Sequence, residues 1–308
     1  MAYTDEGIAL RQRNITRPII VLGAEATGFE LMIRYHLEPE IFNLFYLKEF
    51  ISVLQNYPEI HTFPIHIKVD TGMHRLGFDI DEIDEMLHLV NTCSQLKLAS
   101  VFTHLAASED EDEDLFTKMQ IKKFEAVCQK ISTHISYPYL KHVLNTAGIV
   151  RFPGAHFDMV RLGLGLYGFC SLPEVQQQLQ SVITLSSVIT QIKNIKKGET
   201  VGYNRIFTAP KNMKIAIVPV GYADGFPREL SNGIGTMLVN HKRCPVVGKV
   251  SMDMTIIDVS GLDVTIGDEV IIYDSENSLE KIGAKIGKTP YELLTAISKR
   301  VPRIYVRD

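Results

Sequence analysis

Polar side chains end four apolar segments in the first half of the chain. These clusters are Lys68-Val69-Asp70-Thr71, Thr103-His104, Asn145-Thr146 and Arg161-Leu162-Gly163. Each is ordinary alone, since a histidine at a strand end is more often structural than catalytic and a single arginine is usually an ion-pair partner. Burying lysine, histidine and arginine together is costly without partners. If the four clusters share one rim, they predict an active site.

The same rim is predicted to bind phosphate. Asn145 and Thr146 stand at the end of one of the last two apolar segments of this half, and the backbone of Gly163 and Leu164 lies in the other. In α/β barrels, the loops after strands seven and eight frequently form a phosphate site. These groups are suited to a phosphate monoester.

Short apolar runs alternate with amphipathic stretches, and this pattern predicts the elements that position the clusters. Apolar residues three and four apart predict helices at Lys48–Tyr57, Asp81–Thr92 and Thr117–Ile131. Strands alternating with helices imply right-handed βαβ units and a parallel sheet. Repeated this often, they favour a (β/α)8 barrel, with the open doubly wound sheet as the competing fold. The strand-like runs are Pro18–Gly23, Ile41–Tyr46, Ile65–Asp70, Leu98–Leu105, Leu140–Asn145 and Met159–Tyr167.

The chain changes character from about Gln180 onward. Turn signals such as Lys197-Gly198 and Asn232-Gly233 separate β-branched runs, which predicts an antiparallel β domain. We therefore expect an α/β barrel domain over residues 1–176 and a β-rich domain over residues 177–308, joined through Ser171–Gln178. The runs are Ser187–Ile192, Lys214–Val220, Thr236–Val239, Thr255–Val259 and Glu269–Tyr273.

Composition excludes several classes of protein. The 308 residues are 45% hydrophobic and 22% charged with a net charge of −4, which is typical of a globular protein and gives no electrostatic reason to expect nucleic acid. No apolar run approaches the roughly 20 residues that span a bilayer. The first residues lack the apolar core of a signal peptide. The four cysteines are scattered without metal-ligand spacing, so we expect buried thiols and a cytoplasmic location.

The segment Gly163–Gly168 matches the dinucleotide fingerprint G-x-G-x-x-G. A true fingerprint follows a strand, opens a helix and has an acidic residue about 20 residues later. These glycines lie inside an apolar run, and Val182–Ile192 contains no acidic residue. We reject a dinucleotide site.

Motifs along nearly the whole chain resemble, in order, those of the alanine racemase family, whose enzymes use pyridoxal 5′-phosphate (PLP). The longest runs from Lys68 to Phe78 and is similar to the family's K-x-D-T-G-M-x-R-x-G-F. Each motif is weak alone, but together they are highly specific. The others are Thr103–Ala106, Asn145–Ala147, Asp158–Gly163, Tyr167-Gly168, Val201–Tyr203, Val220–Gly225, Val247–Asp253 and Arg300–Arg303.

The resemblance implies catalytic roles. Racemisation removes the Cα proton from one face of alanine and returns it on the other, so a base is needed on each side. Tyr203 would serve the L-alanine face. A free phenol has a pKa of about 10, so work near pH 7 needs about 4 kcal/mol of stabilisation from neighbouring cations. His104 and Arg161 would form that network, and Arg75 would orient Tyr203 and the substrate.

The resemblance also implies binding roles. Arg161 would face the pyridine nitrogen of PLP, and Lys299 stands where the family has a phosphate-binding tyrosine; the phosphate would bind there and at Asn145, Thr146, Gly163 and Leu164.

The family's second domain reaches the active site of the partner subunit, so a homodimer with a shared site is implied. Met252 would hold the substrate carboxylate through its backbone N–H, and Tyr222 would line the entrance. Lys68 matches a lysine commonly carbamylated in the family. The alternative for Lys68 is an ordinary ion pair with Asp70.

One family motif has no match among the 308 residues. The lysine that binds PLP covalently, and that is also the second base, lies in K-A-[ND]-A-Y-G-H-G on the family's first barrel strand. We therefore expect an N-terminally truncated racemase, whose barrel lacks the first strand and helix and which is inactive alone.

Two alternatives to such a fragment of a working enzyme remain. One is a non-catalytic relic that binds PLP or serves in interactions, although a relic has no reason to keep Tyr203, His104, Arg75 and Arg161. The other is a single-domain PLP-homeostasis protein. The β domain that carries Tyr203 counts against this last possibility.

Overall fold

The computed structural model describes residues 1–306. It divides into two units, one covering Met1–Gly163 and the other beginning at Leu164. The domain boundary predicted at residues 176–177 falls inside the second unit, and its exact position stays a prediction. No helix among residues 1–306 is long and apolar enough to cross a membrane.

The first unit is built on a parallel sheet with helices between the strands. The strands are β1 (Ile20–Val21), β2 (Glu38–Ile41), β3 (Phe63–Lys68), β4 (Leu96–Phe102) and β5 (Leu140–His142). Their order in the sheet is β1-β2-β3-β4-β5, which is also the order along the chain. The helices are α1 (Thr4–Gln12), α2 (Phe29–Arg34), α3 (Leu44–Leu54), α4 (Ile83–Thr92), α5 (Asp114–Ser132) and α6 (Thr146–Arg151).

Burial explains the apolar residues of the two longest strands of this sheet, β3 and β4. Ile65 and Ile67 of β3 and Leu98 and Val101 of β4 are fully buried, as expected for a parallel sheet covered on both faces. The helices bury one stripe each; in α4 that stripe includes Ile83, which is fully buried. The parallel α/β class and the predicted helices are confirmed.

The strand predicted at Ile41–Tyr46 was placed too late in the chain. The observed strand is Glu38–Ile41, and α3 begins at Leu44 because the Asn43 side chain caps it by accepting a hydrogen bond from the Tyr46 N–H at 2.9 Å. This shift moves Glu38 and Glu40 into the sheet. Apolar composition alone did not distinguish the first turn of a buried helix from a strand.

The strand predicted at Met159–Tyr167 was wrong. Its backbone runs beside β5, with the Arg161 N–H bonded to the Leu144 carbonyl at 2.9 Å, but it forms no strand and ends in a 3-10 turn at Leu164–Tyr167. The turn is followed by Gly168 at φ +81°, where glycine is required because a Cβ would lie 2.0 Å from the Gln180 carbonyl oxygen.

The second unit is rich in antiparallel β structure, as predicted. The strands are β6 (Leu185–Val188), β7 (Gln191–Ile195), β8 (Thr200–Val201), β9 (Phe207–Thr208), β10 (Met213–Val218), β11 (Thr236–Val239), β12 (Lys242–Pro245), β13 (Thr255–Asp258) and β14 (Glu269–Tyr273). Within the described residues, the strand orders are β13-β10-β7, β12-β11-β14-β6 and β8-β9. Short helices α7 (Pro173–Gln176), α8 (Leu279–Ala284) and α9 (Pro290–Ala296) complete the unit, and its core includes Val218, Phe226 and Ile272.

Candidate active site

Arg161 is the centre of the polar cluster in the first unit. Its Nη1 donates to His142 Nδ1 at 2.6 Å, and its Nη2 donates to the Thr103 carbonyl at 2.8 Å and to the Val143 carbonyl at 3.1 Å. Burial lowers the pKa of Arg161 to about 10, which the charge of Glu40 partly offsets. The guanidinium therefore stays protonated at neutral pH and is fixed in one orientation by β4, β5 and the segments that follow them.

His104 lies beside this guanidinium and is uncharged at neutral pH. Burial, followed by the positive charges of Arg161, Arg75 and Lys68, lowers its pKa to about 4. Its Nδ1 is 3.2 Å from Arg161 Nη2, an N–H donor, so the tautomer inferred from this contact carries its proton on Nε2. His104 is thus a neutral hydrogen-bond donor rather than one of the cations expected from the sequence, and Arg161 supplies the positive charge.

Lys68 ends β3 and pairs with a residue that sequence reasoning missed. Its Nζ lies 3.0 Å from Oε1 of Glu40, whose side chain is fully buried in β2. Burial raises the pKa of Glu40, and the charges of Lys68, Arg161 and Arg75 oppose that rise. Neither carboxylate oxygen has a well-aligned hydrogen bond within the described residues, so the contact is a charge pair at close range.

The alternative ion pair of Lys68 with Asp70 was wrong. Asp70 Oδ1 instead accepts the backbone N–H groups of Gly72 at 2.8 Å and of His74 at 3.1 Å. These bonds lower the pKa of Asp70 against the opposing effect of burial. Asp70 therefore shapes the turn that follows β3.

That turn presents Arg75. Its ends are closed by hydrogen bonds from the Phe78 N–H to the Lys68 carbonyl at 2.8 Å and from the Asp70 N–H to the Phe78 carbonyl at 3.0 Å. Gly77, at φ +138°, is required because a Cβ there would lie 2.4 Å from the Asp70 nitrogen. Arg75 itself is exposed, yet its charge lowers the pKa of His104.

The predicted phosphate residues of the first unit are brought together. Asn145 caps α6 by accepting the Gly148 N–H at 2.9 Å, and its Oδ1 also accepts from Ser108 Oγ at 2.8 Å. Thr146 Oγ1 accepts the Gly163 N–H at 3.2 Å. The start of α6 and the Gly163 backbone therefore form one polar corner. Leu164 and Lys299 belong to the second unit, where Lys299 is exposed.

Tyr203 is presented on a strained turn of the second unit. Its side chain is 65% exposed, and the residues after it, Asn204 and Arg205, both have positive φ, at 59° and 52°. Such values are costly for non-glycine residues and cluster at functional sites. The turn approaches the Val247–Asp253 loop closely, since a Cβ on Gly202 would lie 3.4 Å from the Lys249 nitrogen.

Tyr222 and Met252 lie on adjacent loops of the same unit. The Tyr222 N–H bonds to the Ser251 carbonyl at 3.1 Å, and the Ala223 N–H bonds to the Met252 carbonyl at 3.0 Å. The two loops meet at Gly221, where a Cβ would lie 2.3 Å from the Met252 carbonyl oxygen. Both side chains are about half exposed, so they are available to a ligand or partner.

Arg300 joins these two loops through ion pairs. Its guanidinium pairs with Asp224 at 2.7 Å and with Asp253 at 2.6 Å. It thereby ties the Tyr222 turn to the Met252 loop. Arg300 lies in one of the motifs that resemble the family. Asp224 and Asp253 are distant from it in sequence, so spacing along the chain did not predict these ion pairs.

Family models match both halves of the chain. The model described as "Alanine racemase, N-terminal domain" matches residues 1–171, and "Alanine racemase, C-terminal domain" matches residues 182–305. The protein is a member of the alanine racemase family. Its fold class of parallel α/β barrel unit and antiparallel β-rich unit is that of the family, and the family's enzymes are PLP-dependent isomerases.

Relatives and solved structures agree with this assignment. The chain is 35% identical over 319 residues to an alanine racemase of Clostridium tetani, covering 100% of this chain and 81% of that protein. It is 34% identical to "Alanine racemase 2" of Bacillus subtilis, with coverages of 100% and 81%. The structure of the Clostridium difficile 630 alanine racemase superposes with a TM-score of 0.91 at 31% identity, covering 99% of this chain and 80% of that one.

The residues of the first unit fit PLP by the chemistry of their donors. Among the hydrogen bonds of the described residues, the Arg161 guanidinium uses Nη1 and Nη2, while its Nε–H has no protein partner. A permanently protonated arginine is a suitable donor to a pyridine nitrogen. The corner formed by Asn145, Thr146 and Gly163 supplies small polar groups for a phosphate.

Proposed function

We propose that this protein binds alanine and PLP as an alanine racemase, interconverting L- and D-alanine for the supply of peptidoglycan precursors, and that the 308-residue chain by itself does not turn over. The family matches over both halves and the fixed Arg161–His104 pair support the first part. The absence of a K-A-[ND]-A-Y-G-H-G motif from the sequence supports the second. A cytoplasmic location remains part of this proposal.

In this proposal, Arg161 orients the ring and the α6 corner holds the phosphate. Bound PLP supplies an electron-withdrawing ring that acidifies the Cα–H of alanine. Because Arg161 stays protonated, it donates a hydrogen bond to the ring nitrogen without giving up its proton. Asn145, Thr146, Gly163, Leu164 and Lys299 remain the proposed phosphate contacts, with Lys299 acting as a flexible point charge.

Tyr203 is the proposed base on the L-alanine face. A tyrosine with a pKa of about 10 needs a nearby cation and a hydrogen-bond donor to work at neutral pH. Arg161 supplies the charge in this proposal, and the Nε2–H of neutral His104 is the donor. Arg75 would orient Tyr203 and the alanine, Met252 would bind the substrate carboxylate, and Tyr222 would line the entrance.

We propose a homodimer in which Tyr203, Tyr222 and Met252 act in the partner's site. All three are well exposed on loops of the second unit, where an exposed tyrosine has little stabilising function of its own. The positive φ values after Tyr203 are the kind of local strain found at ligand-binding turns.

No residue of the chain matches the family lysine that binds PLP covalently and acts as the second base. Lys68 is the buried lysine of the cluster around Arg161 and His104, and its ammonium is paired with Glu40. The nucleophile toward the aldehyde of PLP is the neutral amine, so a close carboxylate partner disfavours imine formation at Lys68. We therefore expect non-covalent PLP binding.

Borohydride trapping combined with a racemase assay tests both parts. The full chain is incubated with PLP, reduced, digested and examined by mass spectrometry, while L-alanine conversion is followed by chiral chromatography. We expect the absorbance change on adding PLP to saturate, as it does for a binding site. We expect no lysine to carry a pyridoxyl group, and no more D-alanine than free PLP forms by itself. Lys68→Met is the matched variant for any trapped adduct.

A pyridoxyl group on any lysine, or D-alanine formation by the chain, would contradict the proposed inactivity. Saturable binding that is lost in Arg161→Ala supports the racemase site. PLP binding that is unchanged by Arg161→Ala, or no binding at all, would instead favour a relic with another role.

A further inference from the structure

A line of buried polar side chains crosses the parallel sheet and ends on Arg161. It consists of Glu38 on β2, His66 on β3, Ser100 on β4 and His142 on β5. His66 and Ser100 are paired directly in the strand register. The line therefore takes one polar group from each of four neighbouring strands, in a sheet whose other side chains are mostly apolar.

Every neighbouring pair in this line is within hydrogen-bond distance. Glu38 Oε2 lies 2.7 Å from His66 Nε2, and His66 Nδ1 lies 2.6 Å from Ser100 Oγ. Ser100 Oγ lies 3.0 Å from His142 Nε2, and His142 Nδ1 lies 2.6 Å from Arg161 Nη1. Ser100 and His142 are fully buried, and the Glu38 side chain is only 16% exposed.

The donors and acceptors fit one direction along the whole line. Arginine can only donate, so His142 Nδ1 accepts from Arg161 and His142 Nε2–H must donate to Ser100. The Ser100 hydroxyl then donates to His66 Nδ1, and His66 Nε2–H donates to Glu38. Burial and the charge of Arg161 lower the pKa of His142 to about 3, which agrees with a neutral ring.

The alternative protonation of His66 leaves a hydrogen without an acceptor. If both His66 nitrogens carried protons, Ser100 Oγ would receive hydrogen bonds from both histidines. Its own hydroxyl hydrogen would then lack an acceptor in this line, inside a fully buried site where an unmet donor is costly. The neutral arrangement uses each group once.

We propose that Glu38 is a remote positioning residue for Arg161, which it holds through the directional relay Arg161→His142→Ser100→His66→Glu38. The relay connects a permanent cation at the candidate site to a carboxylate three strands away. Hydrogen bonds in such a chain polarise one another, so the anionic end favours the tautomer of His142 that accepts from Arg161. The inference rests on the proposed function only where it assigns Arg161 a role in binding PLP.

The histidine tautomers provide a readout that does not depend on activity. The full chain, labelled with 15N-histidine and without PLP, is compared with Glu38→Gln, Glu38→Asp and Ser100→Ala by two-bond 15N–1H NMR. Glu30→Gln is the matched control, because Glu30 is an exposed carboxylate that pairs with Arg34 in the same unit.

We expect single Nε2–H tautomers for His66 and His142 in the unmodified chain. Glu38→Gln keeps an acceptor but removes the charge, so the His142 Nε2 proton should shift upfield although Glu38 does not touch His142. Glu38→Asp, which keeps the charge, should shift it less. Ser100→Ala should leave His142 in the Nε2–H tautomer, because Arg161 still donates to Nδ1, but its Nε2 proton loses its acceptor and should shift upfield while the His66–Glu38 contact persists. Glu30→Gln should change neither ring.

An Nδ1–H tautomer of His142, or a Glu38→Gln spectrum in which only His66 moves, would overturn the relay. Because the spectra are recorded on the chain without PLP, they give the same answer whether or not the chain binds PLP. Loss of PLP binding or of racemase activity therefore bears on the proposed function and leaves this test independent.

Discussion

At the scale of single residues, the ion pair of Lys68 with Glu40 is the feature that most changes the expected chemistry. Both side chains are buried, and their charged atoms lie 3.0 Å apart. Removing one member of such a pair leaves an uncompensated buried charge, which typically costs about 3–5 kcal/mol. The two residues therefore depend on each other, and Glu40 already supplies the anion that a carbamate on Lys68 would provide.

This arrangement predicts that Lys68 is not carbamylated, unlike the lysine that it matches in the family. A carbamate beside Glu40 would place two anions together, so we expect no carbamate signal when the chain is equilibrated with 13C-bicarbonate and examined by 13C NMR. Glu40→Gln removes the competing anion without changing the side-chain volume, and a signal should then appear. Glu85→Gln, which removes the partner of exposed Lys48, serves as the control. A carbamate in the unmodified chain would show that Glu40 does not exclude it.

At the scale of the elements, burial at the strand ends keeps two histidines neutral. His104 follows β4 and His142 ends β5, and burial is the main cause that lowers the pKa of each, to about 4 and about 3. Unfolding exposes both rings, whose pKa then returns to about 6.5. The unfolded chain therefore binds more protons than the folded chain between these values.

Stability should consequently fall as the pH falls below about 6.5. Because each unfolded ring is only half protonated at pH 6.5, each histidine should remove about 1 kcal/mol between pH 6.5 and pH 5.5, and the two together about 2 kcal/mol. Glu40, whose pKa is raised, acts in the opposite direction. Urea unfolding at several pH values measures the slope. His142→Asn should reduce it by about half, whereas His241→Asn, at an exposed site, should not; equal slopes in all three proteins would contradict the neutral state of His142.

At the scale of the whole molecule, the second unit presents its family residues outward. Tyr203, Tyr222 and Met252 are exposed on loops, and Gly221 and Arg300 hold the Tyr222 and Met252 loops together. In the proposed shared-site homodimer, these loops would face the partner's cofactor. The chain contains no tryptophan, so a single introduced indole gives an unambiguous fluorescence signal.

The dimer proposal predicts a concentration-dependent signal from Tyr222→Trp. Addition of PLP should quench its emission only at protein concentrations where sedimentation shows a species of twice 34.7 kDa. Ile266→Trp, at an exposed position of the same unit, should not be quenched. Quenching of Tyr222→Trp in a monomeric chain would mean that the site is completed within one subunit, and equal quenching of both variants would mean that it reports free PLP.

Much of the fold followed from local patterns. The helix periodicity at α4 and α5 and the β-branched runs at β11 and β14 were confirmed, because local packing and turn chemistry decide such elements. The segment at Ile41–Tyr46 was misread because a buried helix start and a buried strand share the same apolar composition. Because of this error, Glu38 and Glu40 were not expected in the sheet, although both lie on β2.

The sequence by itself determined the family and the fold class and singled out Arg161, His104 and Lys68 as candidate site residues, because short motifs carry residue types in a fixed order. Only the tertiary structure decided the charge states of these groups and their ion-pair and hydrogen-bond partners. Lys68 is paired with Glu40, His104 is neutral, and Arg161 is tied to Glu38 through three intervening side chains. Charge state depends on burial and on partners from neighbouring strands, and those are set by sheet register rather than by spacing along the chain.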